Sequence, residues 1–304
     1  MRSKRSFDFV KTSPFFLSIS AVILLIGLVF VGIFGMNYGI DFSSGTSVDV
    51  TTSKTLDEAQ VKEFLNKQQL GDYTLAPGEK RESIRFKTAL DENQEKQFKA
   101  DFQAALDPNA SFEINIVDVD IAKEQETNAL IGLAVASLGI MIYVSIRFEW
   151  RFALGAIIST VYDALFVICM FSIFRLEVNL PFILAVLTII GYSINDTIVI
   201  FDRIRENLRF AKIKSHADLE RLVNDSIWQT LARSINTVIT VLIAAVCLFI
   251  FGGESIKLFS LAMIFGLASG AYSSIFIASQ IWLFLKKKQP IKKVAVKPQS
   301  ANTP

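Results

Sequence analysis

The sequence predicts an α-helical polytopic membrane protein, with six transmembrane helices and one small α+β domain between helices 1 and 2. Three observations predict it. Of the 304 residues 52% are hydrophobic and mean hydropathy is +0.43. The apolar runs reach about 20 residues, the length that crosses a hydrocarbon core of ~30 Å. A single sizeable polar segment, residues 37–125, interrupts them, and basic residues gather in alternate loops.

The elements follow in chain order. Residues 1–14 carry Arg2, Lys4, Arg5 and Lys11, and the first apolar run covers 15–36. Its core is longer than that of a secretory signal and no small-x-small site follows Phe34, which predicts a retained anchor. Beyond the polar segment, residues 126–285 hold five more runs, at 127–146, 152–174, 181–201, 234–252 and 258–285. Arg147 and Arg151 separate the second and third runs. The loop 202–232 carries Arg203, Arg205, Arg209, Lys212, Lys214 and Arg221. The tail 286–304 begins Lys286, Lys287, Lys288 and continues with Lys292, Lys293 and Lys297, whereas the other two short loops hold only Arg175 and Lys257. The positive-inside bias then places both termini and the two basic loops in the cytoplasm, in agreement with the parity of six spans. Within 202–232, Leu219, Leu222, Val223 and Ile227 share a helical face behind a potential Ser215 cap. They predict an amphipathic helix on the cytoplasmic surface, with Trp228 at the interface.

Residues 37–125 fall outside the cytoplasm by the same parity. Their 17 acidic and 10 basic residues do not oppose this, since long segments translocate regardless of charge. Alternation predicts strands at Thr46–Thr51, Tyr73–Ala76, Ser83–Ala89 and Phe112–Ile116, with a turn at Pro77-Gly78. Helices are predicted to Gln68 behind a Thr55 or Asp57 cap, and from Asp91 to the stop at Pro108. A β-α-β-β-α-β order is the ferredoxin-like arrangement. No metal cluster, nucleophile–base pair or phosphate loop stands out in the segment, and the only histidine of the chain, His216, reads as a solvated loop residue. The two cysteines, Cys169 and Cys247, lie inside spans, so no disulfide framework or thiolate metal site is expected. An enzyme is the class these residues support least.

The chemistry is expected in the spans. A carboxylate in hydrocarbon costs roughly 2.5–3.5 kcal/mol on insertion scales, and such residues usually line an ion or proton path. Asp196 lies six residues before Asp202, ~9 Å from the cytoplasmic end, with Asn195, Ser193 and Thr197 beside it. Arg233 opens the fifth span at a similar depth, and Thr237 and Thr240 continue its face. The guanidinium favours an ionised Asp196 and desolvation a neutral one, so a carboxyl balanced between them can load and release a proton as helices move. The alternative is a fixed ion pair that locks two helices. Asp163, ~18 Å along the third span from Arg151, follows Gly155 and Ser159 on one stripe and is either a further relay group or a packing contact. In the last span Gly266, Gly270, Ser274 and Ala278 recur every four residues, a surface for close helix packing.

Several of these stretches together resemble the SecD/SecF family of bacterial protein export, within the RND superfamily, and in particular its smaller, SecF-type members. GIDFSSGT (39–46) is similar to the family's G-x-D-F-x-G-G-T, with Gly39, Asp41, Phe42 and Gly45 as a domain-hinge motif. GYSINDTIVIFDRIREN (191–207), which opens on the helix-packing Gly191, matches the fourth-span motif. RSINTVIT (233–240) and GLASGAYSSIFIAS (266–279) resemble the segments opening the fifth span and filling the last. Ser44, Tyr162, Ser234 and Val238 depart from the pattern. The resemblance covers nearly the whole chain. It implies proton-relay roles for Asp196 and Arg233, protons as the coupling ion without other cofactors, and location in the bacterial cell membrane. It also implies SecD, the SecY–SecE–SecG channel and translocating polypeptide as partners; the basic flanks meet membrane lipid, and no nucleic acid is involved. The expected function is an auxiliary export subunit that couples proton flow to movement of its external domain in late translocation. A proton-coupled small-solute transporter and a non-transducing scaffold are the alternatives.

Overall fold

The computed structural model describes residues 7–289 apart from 40, 41, 43, 44, 69, 77, 79, 80 and 118. In chain order its elements are α1 (Phe9–Phe34), β1 (Asn37–Tyr38), β2 (Gly45–Thr51), α2 (Glu58–Gln68), β3 (Tyr73–Ala76), β4 (Arg81–Phe86), α3 (Glu92–Ala105), β5 (Ser111–Val117), α4 (Val119–Arg147), α5 (Trp150–Ile173), β6 (Glu177–Val178), α6 (Leu180–Phe210), α7 (His216–Phe251) and α8 (Glu254–Ser273). A π turn (Ser274–Ala278) and α9 (Ser279–Lys287) complete the last span. Residues 36–134 and 175–183 form one unit, and the remaining helical segments form another.

In the α+β unit, strands in the order β3-β4-β2-β5 pair antiparallel, with Val48 opposite both Ile84 and Ile114. Side chains alternate across a strand, so Val48, Val50, Ile84 and Phe86 share one buried face. Helices α2 and α3 cover it with Val61, Phe64, Leu65, Phe98 and Phe102. Phe64 meets Phe98 and Phe102 at ring distances of 5.7 and 5.3 Å, and each such buried ring contributes about 2–3 kcal/mol of transfer free energy. Asp91 and Gln94 close a reciprocal capping box at the start of α3, and Asp57 accepts from Ala59 N at 3.2 Å to cap α2.

One residue offends this core. Glu82 is opposite Val50 on the helix-facing side, only 1% exposed, with Oε2 unpartnered. Burial raises its pKa above the ordinary carboxylate value, against a backbone hydrogen bond from Gly78 that lowers it. The folded state therefore holds the Glu82 proton more tightly than the unfolded chain. Its favourable contribution is fully present below the unfolded pKa and disappears as pH rises through the folded one. Glu82→Gln should stabilise this unit by about 1 kcal/mol at neutral pH and change little in acid. Pulse proteolysis of residues 45–117 in the detergent-solubilised full chain, across pH, checks the sign.

Two very short strands, which the sequence did not suggest, strap this unit. Asn37 and Tyr38 pair parallel with Glu177 and Val178, and Gly39 N donates to Val178 O at 2.8 Å. Arg85 on β4 ion-pairs with Glu177. A Cβ at Gly39 would meet Glu177 Oε1, and one at Gly45 would meet the Phe86 carbonyl, so two of the hinge-motif glycines are demanded by close approach. Phe42 N donates to Gly39 O at 3.0 Å, while Asp41 lies outside the described residues.

Among the described residues, six helices are long and apolar enough to cross a membrane. Within the helical unit, α1 is capped by Asp8 and packs on α5, where Gly27 lies directly against Cys169. The separate amphipathic surface helix expected at residues 215–228 is not formed. Ser215 does cap, but the helix it starts runs unbroken for 36 residues to Phe251, because no proline or glycine interrupts it. Leu219, Leu222, Val223 and Ile227 are buried in the bundle core with Phe152, Phe201 and Trp282, instead of lying along a surface. The expected loop 202–232 correspondingly shrinks to residues 211–215 between α6 and α7. The start of α1, the N-terminal part of α7 and the end of α9 meet: Lys287 bonds Glu220 at 2.5 Å, Trp228 Nε1 donates to Phe7 O at 3.1 Å, and Phe9 N donates to Asn224 Oδ1 at 2.9 Å.

Candidate functional site

Helix α6 carries the chemistry. Ser193 and Thr197, four residues apart, share one face of the helix, while Asp196 is turned about 100° from Thr197. Ser193 and Thr197 point into the bundle. Ser193 Oγ donates to Asp163 Oδ2 at 2.5 Å, and Thr197 shares a 2.8 Å hydrogen bond with Ser274. Thr197 thus serves the α6 contact with the π turn and is not bonded to Asp196. Asn195 is exposed on the outer side.

Asp196 is 9% exposed and faces α7. Arg233 and Ser234 on α7 are the groups that act on its charge. Ser234 approaches without meeting hydrogen-bond geometry, so that Asp196 Oδ2 and Ser234 Oγ are both buried and unsatisfied. Among the described residues no closed ion pair joins Asp196 to Arg233. The locked-pair alternative is therefore not the arrangement found: the exposed guanidinium lines a polar cleft of ≈ 780 Å³ together with Asn195, Thr230, Gln229 and Glu206. On its other side Asp196 borders a narrow cavity of ≈ 20 Å³ with Ser193, Thr237, Gly266 and Gly270. A space of about 10–15 Å³ of this kind admits one water. Thr237 is on this cavity, but its hydroxyl and that of Thr240 donate to their own helix, at 2.9 Å to Arg233 O and 2.8 Å to Thr237 O. Thr240 does not line either cavity.

Asp163 is fully buried on α5. Its Oδ2 accepts from Ser193 (2.5 Å) and Ser273 (2.6 Å), and its Oδ1 from Ser269 (2.5 Å), while Ser159 donates to Ser273 at 3.0 Å. The Gly155–Ser159–Asp163 stripe thus meets the last span, with the Ala278 carbonyl where a Cβ at Gly155 would stand. Ser269 and Ser273 were missed in the sequence, although their four-residue spacing, three positions after Gly266 and Gly270, marks a second small polar stripe. Gly266 lies against Ile189 and Gly270 against Ser193, and Ser274 and Ala278 are buried, so this set of small residues packs closely. Gly191 does not. A Cβ there would meet nothing within 4 Å, because the residue faces away from the bundle.

Comparison with known proteins shows the family. A family model described as protein export membrane protein SecD/SecF, C-terminal, matches residues 97–288, and one for the SecD/SecF GG motif matches residues 29–56. The protein translocase subunit SecF of Alicyclobacillus acidocaldarius is 42% identical over 287 residues, covering 92% of this chain and 93% of that protein. The protein translocase subunit SecDF of Bacillus subtilis is 44% identical over 290 residues, 94% of this chain but 39% of the relative. The crystal structure of SecDF from Thermus thermophilus, titled a translocon-associated membrane protein, superposes with a TM-score of 0.85 at 29% identity. It covers 93% of this chain, which spans about two-fifths of that structure (39%).

Proposed function

Because the chain belongs to the SecD/SecF family of protein export membrane proteins, we propose that it is an accessory subunit of the Sec translocase that works with SecD beside the SecY–SecE–SecG channel. In this reading residues 37–125 form a ferredoxin-like domain outside the cytoplasm, and proton passage at Asp196 and Arg233 drives its movement against emerging polypeptide. The basic end of the bundle, with both chain termini, faces the cytoplasm of a bacterial cell.

The observation that carries the reading is the open Asp196–Arg233 arrangement. A carboxylate closed on a guanidinium would be a fixed brace. Here one carboxyl oxygen is buried without a partner while the guanidinium lines a polar cleft. That geometry lets the acid exchange a proton with water and respond to a small displacement of α7 against α6. Each proton crossing 100 mV supplies about 2.3 kcal/mol, so one or a few can drive a domain movement costing several kcal/mol.

The test uses inverted membrane vesicles containing the chain, SecD and the channel, scored by protease protection of an exported precursor. With the wild-type chain an ionophore should slow the late phase of translocation. Asp196→Asn, isosteric and unable to ionise, should translocate at the ionophore-treated wild-type rate whether or not ionophore is present. A normal ionophore-sensitive rate in that variant refutes the reading.

A further inference from the structure

We propose that Asp163 is a second proton-carrying group, exchanging one proton with Asp196 through the Ser193 hydroxyl and a single intervening water. The proposal rests on the proton-coupled reading of Asp196 and adds a site to it.

The helix interface around Asp163 shows what packing alone requires. Ser159 with Ser273, and Thr197 with Ser274, join the same helices by neutral hydrogen bonds. A carboxyl at the centre is not needed for that glue and is expensive when ionised without a cation. The titratable groups of the packed elements near it are Asp196 on α6, Tyr162 and Cys169 on α5, and Tyr272 on α8. The Tyr272 hydroxyl donates away from Asp163, to Phe16 O at 2.6 Å. No arginine or lysine among the described residues acts on Asp163, and Asp196 is the only charged group that does.

The cage fits both protonation states. An ionised Asp163 accepts all three hydroxyl protons. When a proton is present on Oδ1, the Ser269 hydroxyl turns and accepts it; when it is on Oδ2, Ser193 does the same. Ser193 also borders the ≈ 20 Å³ cavity that Asp196 borders. In the transfer the Oδ2–H bond breaks as the proton passes to Ser193 Oγ. The original Ser193 proton passes to the cavity water, and a water proton passes to the Asp196 carboxylate. One proton has moved, the serine and water are regenerated, and the negative charge has moved to Asp163. Two carboxyls coupled this way share a proton, and their titration belongs to the pair. A metal cation is the wrong ligand here, because hydroxyl oxygens 2.5–2.6 Å from the carboxylate leave no space for an ion between them.

The vesicle assay is repeated with Asp163→Asn and Ser193→Ala, over a pH series and with sodium replaced by potassium, and joined to infrared difference spectra of the purified chain. Expected are an ionophore-sensitive increment at least tenfold smaller in Asp163→Asn, a displaced pH profile in Ser193→Ala, and a pH-dependent carboxyl C=O band that Asp163→Asn removes. If Asp163→Asn keeps the wild-type increment and pH profile while Asp196→Asn loses the increment, this proposal fails and the reading of Asp196 stands; if both keep them, both fail. An increment that vanishes without sodium overturns the proton assignment. Should Asp163→Asn not insert, the wild-type carboxyl band and the Ser193→Ala profile decide: no titrating band and an unmoved profile overturn the proposal.

Discussion

Arg233→Gln is expected to remove most of the ionophore-sensitive part of translocation, by tenfold or more, and Arg233→Lys to restore part of it. The guanidinium is the cation acting on Asp196, and it does so without closing on it. Two unit charges several ångströms apart near a protein surface interact by about 2–3 kcal/mol, and 1.4 kcal/mol is a factor of ten. Glutamine keeps hydrogen bonding and most of the length but abolishes that field, so the proton is held too firmly to be released on a small helix movement. Lysine keeps the charge as a compact, more strongly hydrated point that the polar cleft can hold at a different distance. The measurement is the difference in translocation rate with and without ionophore, followed across pH. An unchanged increment in Arg233→Gln would show that the cation plays no part.

Gly27→Ala is expected to cost about 1–3 kcal/mol through overpacking, and Gly27→Leu to prevent α1 from docking at all. A Cβ at Gly27 would come within 2.2 Å of the Cys169 Cβ and 3.2 Å of its Cα. Those atoms belong to the α5 backbone and its first side-chain carbon, so no rotamer change relieves the clash and the helices must separate. Cys169→Gly should recover most of the loss in Gly27→Ala, because it removes the colliding atom. Thermal unfolding in detergent of the two single variants and the double variant gives the coupling directly. Additivity of the two substitutions would contradict the contact.

Much of the fold was legible because the bilayer and the β-sheet both impose strong periodicity. The succession of strands and helices along the α+β unit and its caps at Asp57 and Asp91 follow from alternation and turn chemistry. The continuous α7 was not legible. Its N-terminal half is amphipathic and its C-terminal half mainly apolar, a pattern equally suited to two helices, and only burial against Phe152 and Trp282 settles it. The strap of β1 and β6 has two residues per strand, too few for any periodic signal.

At the site, the sequence by itself determined that Asp163, Asp196 and Arg233 stand in apolar spans, because charge in hydrocarbon is costly enough to be read in one dimension. Which of them meet was decided by helix rotation and contacts between distant segments. That phase turned Thr197 and Gly191 away from Asp196's cavity, gave Asp163 its hydroxyls from Ser193, Ser269 and Ser273, and left Asp196 facing Arg233 without closing on it. A residue separation of 30 to 110 positions along the chain, bridged at 2.5–2.6 Å, leaves no local trace in sequence.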